Sequence, residues 1–517
     1  MATDSCKRRP VKTLIAEWDI LFSLLRGQSQ RPFPSNGEIK SSISKTETDI
    51  RRCDEEIHRL QAQIIALENE KRLIERNTVG YKSLLAPIRR LPPELLEQVF
   101  LCVCDDNRIG NSTDVPAATL TQVCSSWKNL ATSSHCLWST ITWIHHDGWG
   151  PPTSVDAALE RLLEKSGSVP LDINVSIQVQ DSVPLSTLRM LVRQSHRWLR
   201  LSLCLEYQLF DEVYPALRPI QGNLPLLEHL EFDAGFQAGK LIDVFRYAPR
   251  LRSVKLSSES SPDVIVLPWG QLHSLVLCEY NEDNAPLIYL SSGLKTLTLD
   301  SRFEDDSEPS VEPSIEISLD VETFSLGLYT NTDHINIIPK LTFPALTSLS
   351  MFSSVQPVSI IELSPIQSLI SRSSCTLTSL TWSNLSTPLE PFLSFLSTVP
   401  SLMSLSLSDK SEKNPLIGQS LFDKLQIRFS PSSIAIFLPN LQTLSLSSEI
   451  KEGFSDASVV DAVTSRWFPN GGVTQSLCSV RLETPNRCFT ANTIPLQQLA
   501  QAGMKIVIKD QTGVVLC

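Results

Sequence analysis

Pro400-Ser401-Leu402-Met403-Ser404-Leu405-Ser406-Leu407 is the stretch whose reading decides the fold. Leu405 and Leu407 alternate with serines as one face of a half-buried strand does, Leu402 adds an apolar residue three places upstream, and the proline sets the turn into the strand. The same spacing, hydrophobic-x-x-hydrophobic-x-hydrophobic, recurs on both sides. Before it stand Trp198/Leu201/Leu203, Leu227/Leu230/Phe232, Leu251/Val254/Leu256, Leu272/Leu275/Leu277, Leu294/Leu297/Leu299, Val321/Phe324/Leu326, Leu346/Leu349/Met351 and Leu377/Leu380/Trp382; after it come Leu441/Leu444/Leu446 and Leu477/Val480/Leu482. The first residue advances by 29, 24, 21, 22, 27, 25, 31, 25, 39 and 36. Steps of this size suit one strand plus a helical or irregular return per unit, stacked so that each unit buries its face on the next. The alternative is a β-rich domain whose Leu-x-Leu runs are separate core strands.

The phrase resembles the leucine-rich repeat, whose period is roughly 20–29 residues. The resemblance implies an α/β solenoid. It departs from the family where an asparagine or cysteine normally bonds the turn after the strand: those places hold Glu259, Arg302, Lys410 and Glu449. With the long steps after Leu402, this predicts an irregular arc over residues 145–517, closed by a terminal strand at Met504–Lys509. Upstream, Leu171, Ile173, Val175, Ile177 and Val179 alternate with polar residues as a strand. Before that, Val155, Ala158, Leu159, Leu162 and Leu163 share a helix face, with Thr153 and Asp156 as a capping box. His145-His146-Asp147 has no further ligand at metal spacing and reads as a loop with exposed imidazoles.

Residues 84–144 carry the second signal. Leu91-Pro92-Pro93-Glu94 opens a helix, because proline lacks only a donor that has no intrahelical partner there and Glu94 suits the positive end of the dipole. Leu95, Leu96, Val99 and Phe100 form a stripe too wide for a solvated helix this short. Asp105–Asp114 reads as a polar loop. Leu120, Val123, Cys124, Trp127 and Leu130 mark a second helix, and Leu137-Trp138 with Ile141 closes the unit. A helical hairpin inside a larger core would explain the periodicity alone. In order and spacing, LPPELLEQVF, LTQVCSSWKNLA and LW resemble an F-box, the small all-α module that binds the Skp-type adaptor of cullin ubiquitin ligases. The resemblance implies adaptor contact through Leu91, Pro92, Leu95, Leu96, Val99, Val123, Cys124 and Trp127.

Residues 38–83 read as a coiled coil. Ile43, Ile50, Ile57 and Ile64 lie seven apart, with Leu60 and Leu67 at the alternate seam position and Thr46 and Lys71 as polar intrusions. A parallel homodimer is one reading; a single helix folded back on its own chain is the other. Within residues 1–37, Val11, Leu14, Ile15, Trp18, Leu21, Phe22 and Leu25 mark a helix face that Gly27 should end and that this chain or a dimer mate should cover. Its polar side, with Lys12 and Arg26 balanced by Glu17 and Asp19, lacks the basic bias of a membrane-surface helix. Lys7-Arg8-Arg9 is too short a basic run to weigh as a nuclear address.

Composition bounds the function. A net charge of −11 argues against a nucleic-acid partner, and no run of 18 apolar residues suggests a membrane span. Twelve cysteines without dense spacing suit a reducing compartment, cytoplasm or nucleus. No phosphate-binding glycine loop, nucleophile elbow or metal-spaced cluster occurs, so no catalysis, cofactor or metal is expected. The whole is a mixed chain: coiled coil, F-box, then repeat solenoid. This layout resembles fungal-type F-box proteins with C-terminal leucine-rich repeats, and implies a ligase substrate receptor holding an unknown protein substrate. The alternative is a coiled-coil scaffold that binds the adaptor without directing ubiquitination.

Overall fold

The computed structural model describes residues 11–516 except 30, 111–112, 147–152, 179–183, 207–208, 235–240, 257–260, 279, 281–283, 301–315, 329–333, 354–360, 411–414, 428–435, 452 and 468–475. Lys7-Arg8-Arg9, Asp147, Val179, Glu259 and Arg302 therefore lie outside the described residues. Two compact units are present, Met1–Pro92 and Pro93–Cys517.

In the first unit, α1 (Val11–Leu25) ends where Gly27 adopts φ +69°, a left-handed conformation that glycine takes without a Cβ clash. A single 49-residue helix follows, α2 (Asn36–Leu84). Its start is fixed by Ser35, whose backbone N–H donates to Glu38 Oε2 at 2.8 Å while its hydroxyl accepts from the Glu38 N–H at 3.4 Å. Neither helix has a buried residue. Within this unit, then, α1 and α2 do not bury each other. Ile43, Ile50, Ile57, Leu60, Ile64 and Leu67 are all exposed, between 40% and 64%.

The second unit is built on one sheet of 16 strands. In order these are β1 (Asn107–Gly110), β2 (Thr140–His146), β3 (Leu171–Gln178), β4 (Trp198–Leu205), β5 (His229–Ala234), β6 (Ser253–Leu256), β7 (Ser274–Cys278) and β8 (Thr296–Asp300). After a short β9 (Ile317–Ser318), which pairs only with β11 (Leu341–Thr342), the sheet continues through β10 (Thr323–Gly327), β12 (Ser348–Phe352), β13 (Ser379–Ser383) and β14 (Ser404–Asp409). It ends with β15 (Thr443–Ser448), β16 (Ser479–Thr484), β17 (Lys505–Asp510) and β18 (Gly513–Leu516). Every neighbouring pair is parallel until β18 turns back antiparallel on β17.

All eleven phrases became strands of this sheet, and their central residues stand in register. Leu201 pairs with Leu230, Leu230 with Val254, and so on through Leu275, Leu297, Phe324, Leu349, Leu380, Leu405, Leu444 and Val480 to Ile506. These side chains are buried, so one apolar ladder runs the length of the unit. This is a leucine-rich-repeat-like solenoid, one strand per repeat.

The returns are α6 (Thr153–Lys165), α7 (Leu185–Val192), α8 (Phe210–Leu217), α9 (Pro286–Leu290), α10 (Ser364–Ser373), α11 (Leu389–Ser397), α12 (Gln419–Leu425), α13 (Asp456–Thr464) and α14 (Ile494–Gln501), with 3-10 turns elsewhere. Ahead of several strands, long donors from one return tie down the carbonyls of the return before it. Arg197 donates to the carbonyls of Val169 and Ser166, Arg372 to those of Ile338 and Leu341, and Gln271 to those of Ala248 and Leu251. Lys410 and Glu449, which occupy two of the asparagine places, pair with each other at 3.7 Å.

Two local expectations are corrected. Asp105–Asp114 is not a loop throughout, since it holds β1, which pairs with β2. His145 and His146 lie in β2, half-buried, because the strand runs on past Trp143. The capping box of Thr153 and Asp156 falls at a helix start where the Thr153 side chain lies outside the described residues; the Asp156 carboxylate accepts the hydroxyl of Thr187 on α7.

One buried acid gives a pH prediction. Asp409, at the end of β14, accepts the Ile417 N–H at 2.6 Å, yet burial pushes its carboxyl up to about 6. An acid raised on folding favours the folded state while protonated, and that contribution is lost as pH rises from about 4 through 6. The stability of the native chain relative to Asp409→Asn should therefore fall by up to about 3 kcal/mol between pH 4 and 7. Urea unfolding of both chains at the two pH values tests this; a difference that does not move would refute it.

Candidate interaction surfaces

The helical start of the second unit is α3 (Pro93–Val103), α4 (Pro116–Leu120) and α5 (Ser125–Ser133). The predicted second helix is broken: Cys124 is extended, at φ −161° and ψ 169°, so α4 and α5 are separate turns of helix around Thr121–Val123. The segment is also not all-α, since β1 and β2 belong to it. Asn107 in β1 is fully buried, and its amide donates to the carbonyls of Leu137 and Thr140 at 2.9 Å, which bolts the helices to the sheet. Ser134 donates to Glu97 of α3, and Trp138 Nε1 donates to Ala131 O at 2.7 Å.

With its inner face held this way, α3 turns a second apolar face outward. Leu96 and Phe100 point into the core, and Phe100 meets Trp127 edge-on at 4.8 Å. Leu95, Val99 and Val103, one turn apart, are about half exposed. Of the expected adaptor residues, Leu95, Val99 and Val123 are thus available in this unit, while Cys124 and Trp127 are half-buried. Leu96, only 6% exposed, packs in the module's own core. Leu91 and Pro92, at the end of the first unit, are exposed.

The second surface is the sheet face not covered by the returns. Outward positions of successive strands form rows about 4.8 Å apart. In one row, Ser253, Ser274, Thr296, Thr323, Ser348, Ser379, Ser404, Thr443 and Ser479 follow without interruption. In the adjacent row, Thr298, Ser325, Ser350, Thr381, Ser406 and Ser445 do the same. The centre of this face is a plane of small hydroxyls; the Lys295–Glu322 pair, 2.9 Å apart, stands beside it, and further charge lies at its two ends.

At the first end, Arg200 lies 3.7 Å from Asp172, and Lys255 pairs with Glu231. Burial raises the Asp172 carboxyl, opposed by Arg200 and His229. At the far end, Glu483 takes Arg481 at 2.7 Å and Lys509 at 3.3 Å, and the hydrogen bond from Arg481 holds its carboxyl below the ordinary value. The hydroxyl rows were visible in the sequence as the serines and threonines inside each phrase; they become a surface only once the register is known. β1 and β2 were missed, although Trp138-x-x-Ile141-x-Trp143 has the spacing of the phrase.

Comparison with known proteins adds little. No family model matches the chain, and no curated protein matches it. Among solved structures, an internalin from Listeria monocytogenes is similar over 75% of this chain and 92% of its own, at 15% identity and a TM-score of 0.32. The repeat assignment rests on strand order and register.

Proposed function

We propose that the chain is the substrate-receptor subunit of a Skp-cullin-F-box type ubiquitin ligase, acting in the cytoplasm or nucleus. The observation that carries this is the double-sided α3: one face is locked to the sheet, while Leu95, Val99 and Val103 remain outward on a helix that opens Leu-Pro-Pro-Glu. An exposed apolar stripe on a rigidly held helix suits insertion into another protein. The solenoid behind it offers an extended sheet face for gripping a protein substrate. Catalysis belongs to other subunits.

Leu95→Ala with Val99→Ala should weaken binding of a purified Skp-type adaptor by roughly 2–5 kcal/mol, more than tenfold, without loosening the fold. Leu91→Ala with Pro92→Ala should act in the same direction. Trp127→Ala is a poorer probe, because its ring packs on Phe100. Equal capture of native and substituted chains in a pull-down would remove the adaptor assignment. Capture of adaptor without cullin would instead favour a scaffold.

A further inference from the structure

The occupant of the α2 seam can be read from the charges beside it. Seam positions run Ile43, Thr46, Ile50, Cys53, Ile57, Leu60, Ile64, Leu67, Lys71 and Ile74. The residues that flank such a seam and meet the partner's flanks are, between 47 and 75, Glu47, Asp49, Asp54, Glu56, Gln61, Gln63, Glu68, Glu70 and Glu75. Seven are acids and none is a base. The bases Arg51, Arg52, Arg59, Arg72 and Arg76 all lie on the outer side of the helix.

A second copy in parallel register sets Asp49 against Asp54 and Glu70 against Glu75, each twice by symmetry. A reversed copy, aligned so that Ile50 faces Leu67 and Ile43 faces Ile74, sets Asp49 near Glu70 and Glu47 near Glu68; only Lys40 near Glu75 relieves it. Some acids are partly balanced within the helix, as in Asp49–Arg52 at 3.6 Å and Glu56–Arg59 at 2.8 Å. These pairs are exposed, so they exchange readily for better ones. The first helix of the same chain does not supply the missing charge, since its polar side carries Lys12 and Arg26 against Glu17 and Asp19.

We propose that the seam of α2 takes a helix of another protein, with an Ile/Leu seam and lysine or arginine at its flanks, in preference to a second copy of this chain. The acids select against self-pairing and for a basic partner, as flanking charges do in coiled coils. This stands apart from the ligase reading and survives its failure.

The test uses the full chain and two labelled synthetic helices. One copies residues 36–84; the other carries lysine in place of the seven flanking acids. The lysine helix should bind at least roughly tenfold more tightly at about 50 mM salt, and the advantage should narrow at about 1 M salt. It should vanish on a full chain carrying Ile57→Asn and Ile64→Asn, substitutions at exposed positions that leave the solenoid intact. Equal binding, tighter binding of the copy, or no binding of either helix would overturn the proposal. So would undiminished binding of the lysine helix to the substituted chain, because that would be attraction to an acidic protein and not to the seam.

Discussion

A chain stopped after Leu407 should be recovered in the pellet, without a cooperative unfolding transition. The cut shortens β14 to Ser404–Leu407 and leaves it as a bare edge, without the partners that β15 supplies from Thr443 to Leu446. It also removes α12, α13 and the inward side chains of β15, among them Leu444 and Leu446, which are 2% exposed in the whole chain. Each large apolar side chain stripped of its cover forfeits roughly 1.5–3 kcal/mol, and a marginally stable domain does not survive several such losses. The antiparallel β18, which ends the sheet in the native chain, goes with them, so the new edge invites pairing with other chains. Solubility and urea titration of the shortened chain decide the matter. A soluble fragment that unfolds cooperatively would mean that the later strands fold separately, against the single continuous sheet.

Arg466→Met should cost about 3–5 kcal/mol, large for one residue. Arg466 is 3% exposed and follows α13. Its guanidinium donates to the carbonyls of Leu425 at 2.5 Å, Leu438 at 2.9 Å and Phe437. Burial pulls its pKa down to about 10, so it still carries its proton at neutral pH. Methionine fills most of the volume but leaves two buried acceptors, at Leu425 and Leu438, and a part-buried one at Phe437 with their donor group gone. One of them belongs to Leu438, held at φ +46°, a conformation a leucine adopts only when its surroundings impose it. Arg466→Lys should rescue little, because an ammonium cannot reach three carbonyls as a planar fork does. A shift in the urea midpoint worth less than about 1 kcal/mol would sink this account.

The strands were legible because their signal is local. Leu405 and Leu407, like Leu275 and Leu277, face the core wherever the chain goes next, so alternation survives any arrangement of the returns. β1 was hidden because its inward central position is Asn107, a polar residue that is tolerated only because two carbonyls of the next turn accept its amide. The break between α4 and α5 was hidden too: Leu120, Val123 and Trp127 keep helical spacing across it, and periodicity does not register a three-residue change of direction. The apolar face of α3 was legible as a stripe, but which half of it stays outside depended on Asn107 and Ser134 fixing the helix. For α2 the heptads were plain, and Ile43, Ile50, Ile57 and Ile64 stand exposed along the helix in that order.

The hydroxyl rows between Ser253 and Ser479 also govern how fast anything lands on the sheet. A serine or threonine carries no net charge, so the rows themselves add nothing to the field over the middle of this face. Encounters there should proceed near the unsteered rate of roughly 10⁵–10⁶ M⁻¹s⁻¹ and depend on ionic strength mainly through the net charge of the whole chain. Ligands of complementary charge that land on the Arg200–Asp172 or Arg481–Glu483–Lys509 ends should slow further when salt is added. The ionic-strength dependence of an association rate therefore reports where along the solenoid a ligand has touched down, before any complex has been imaged.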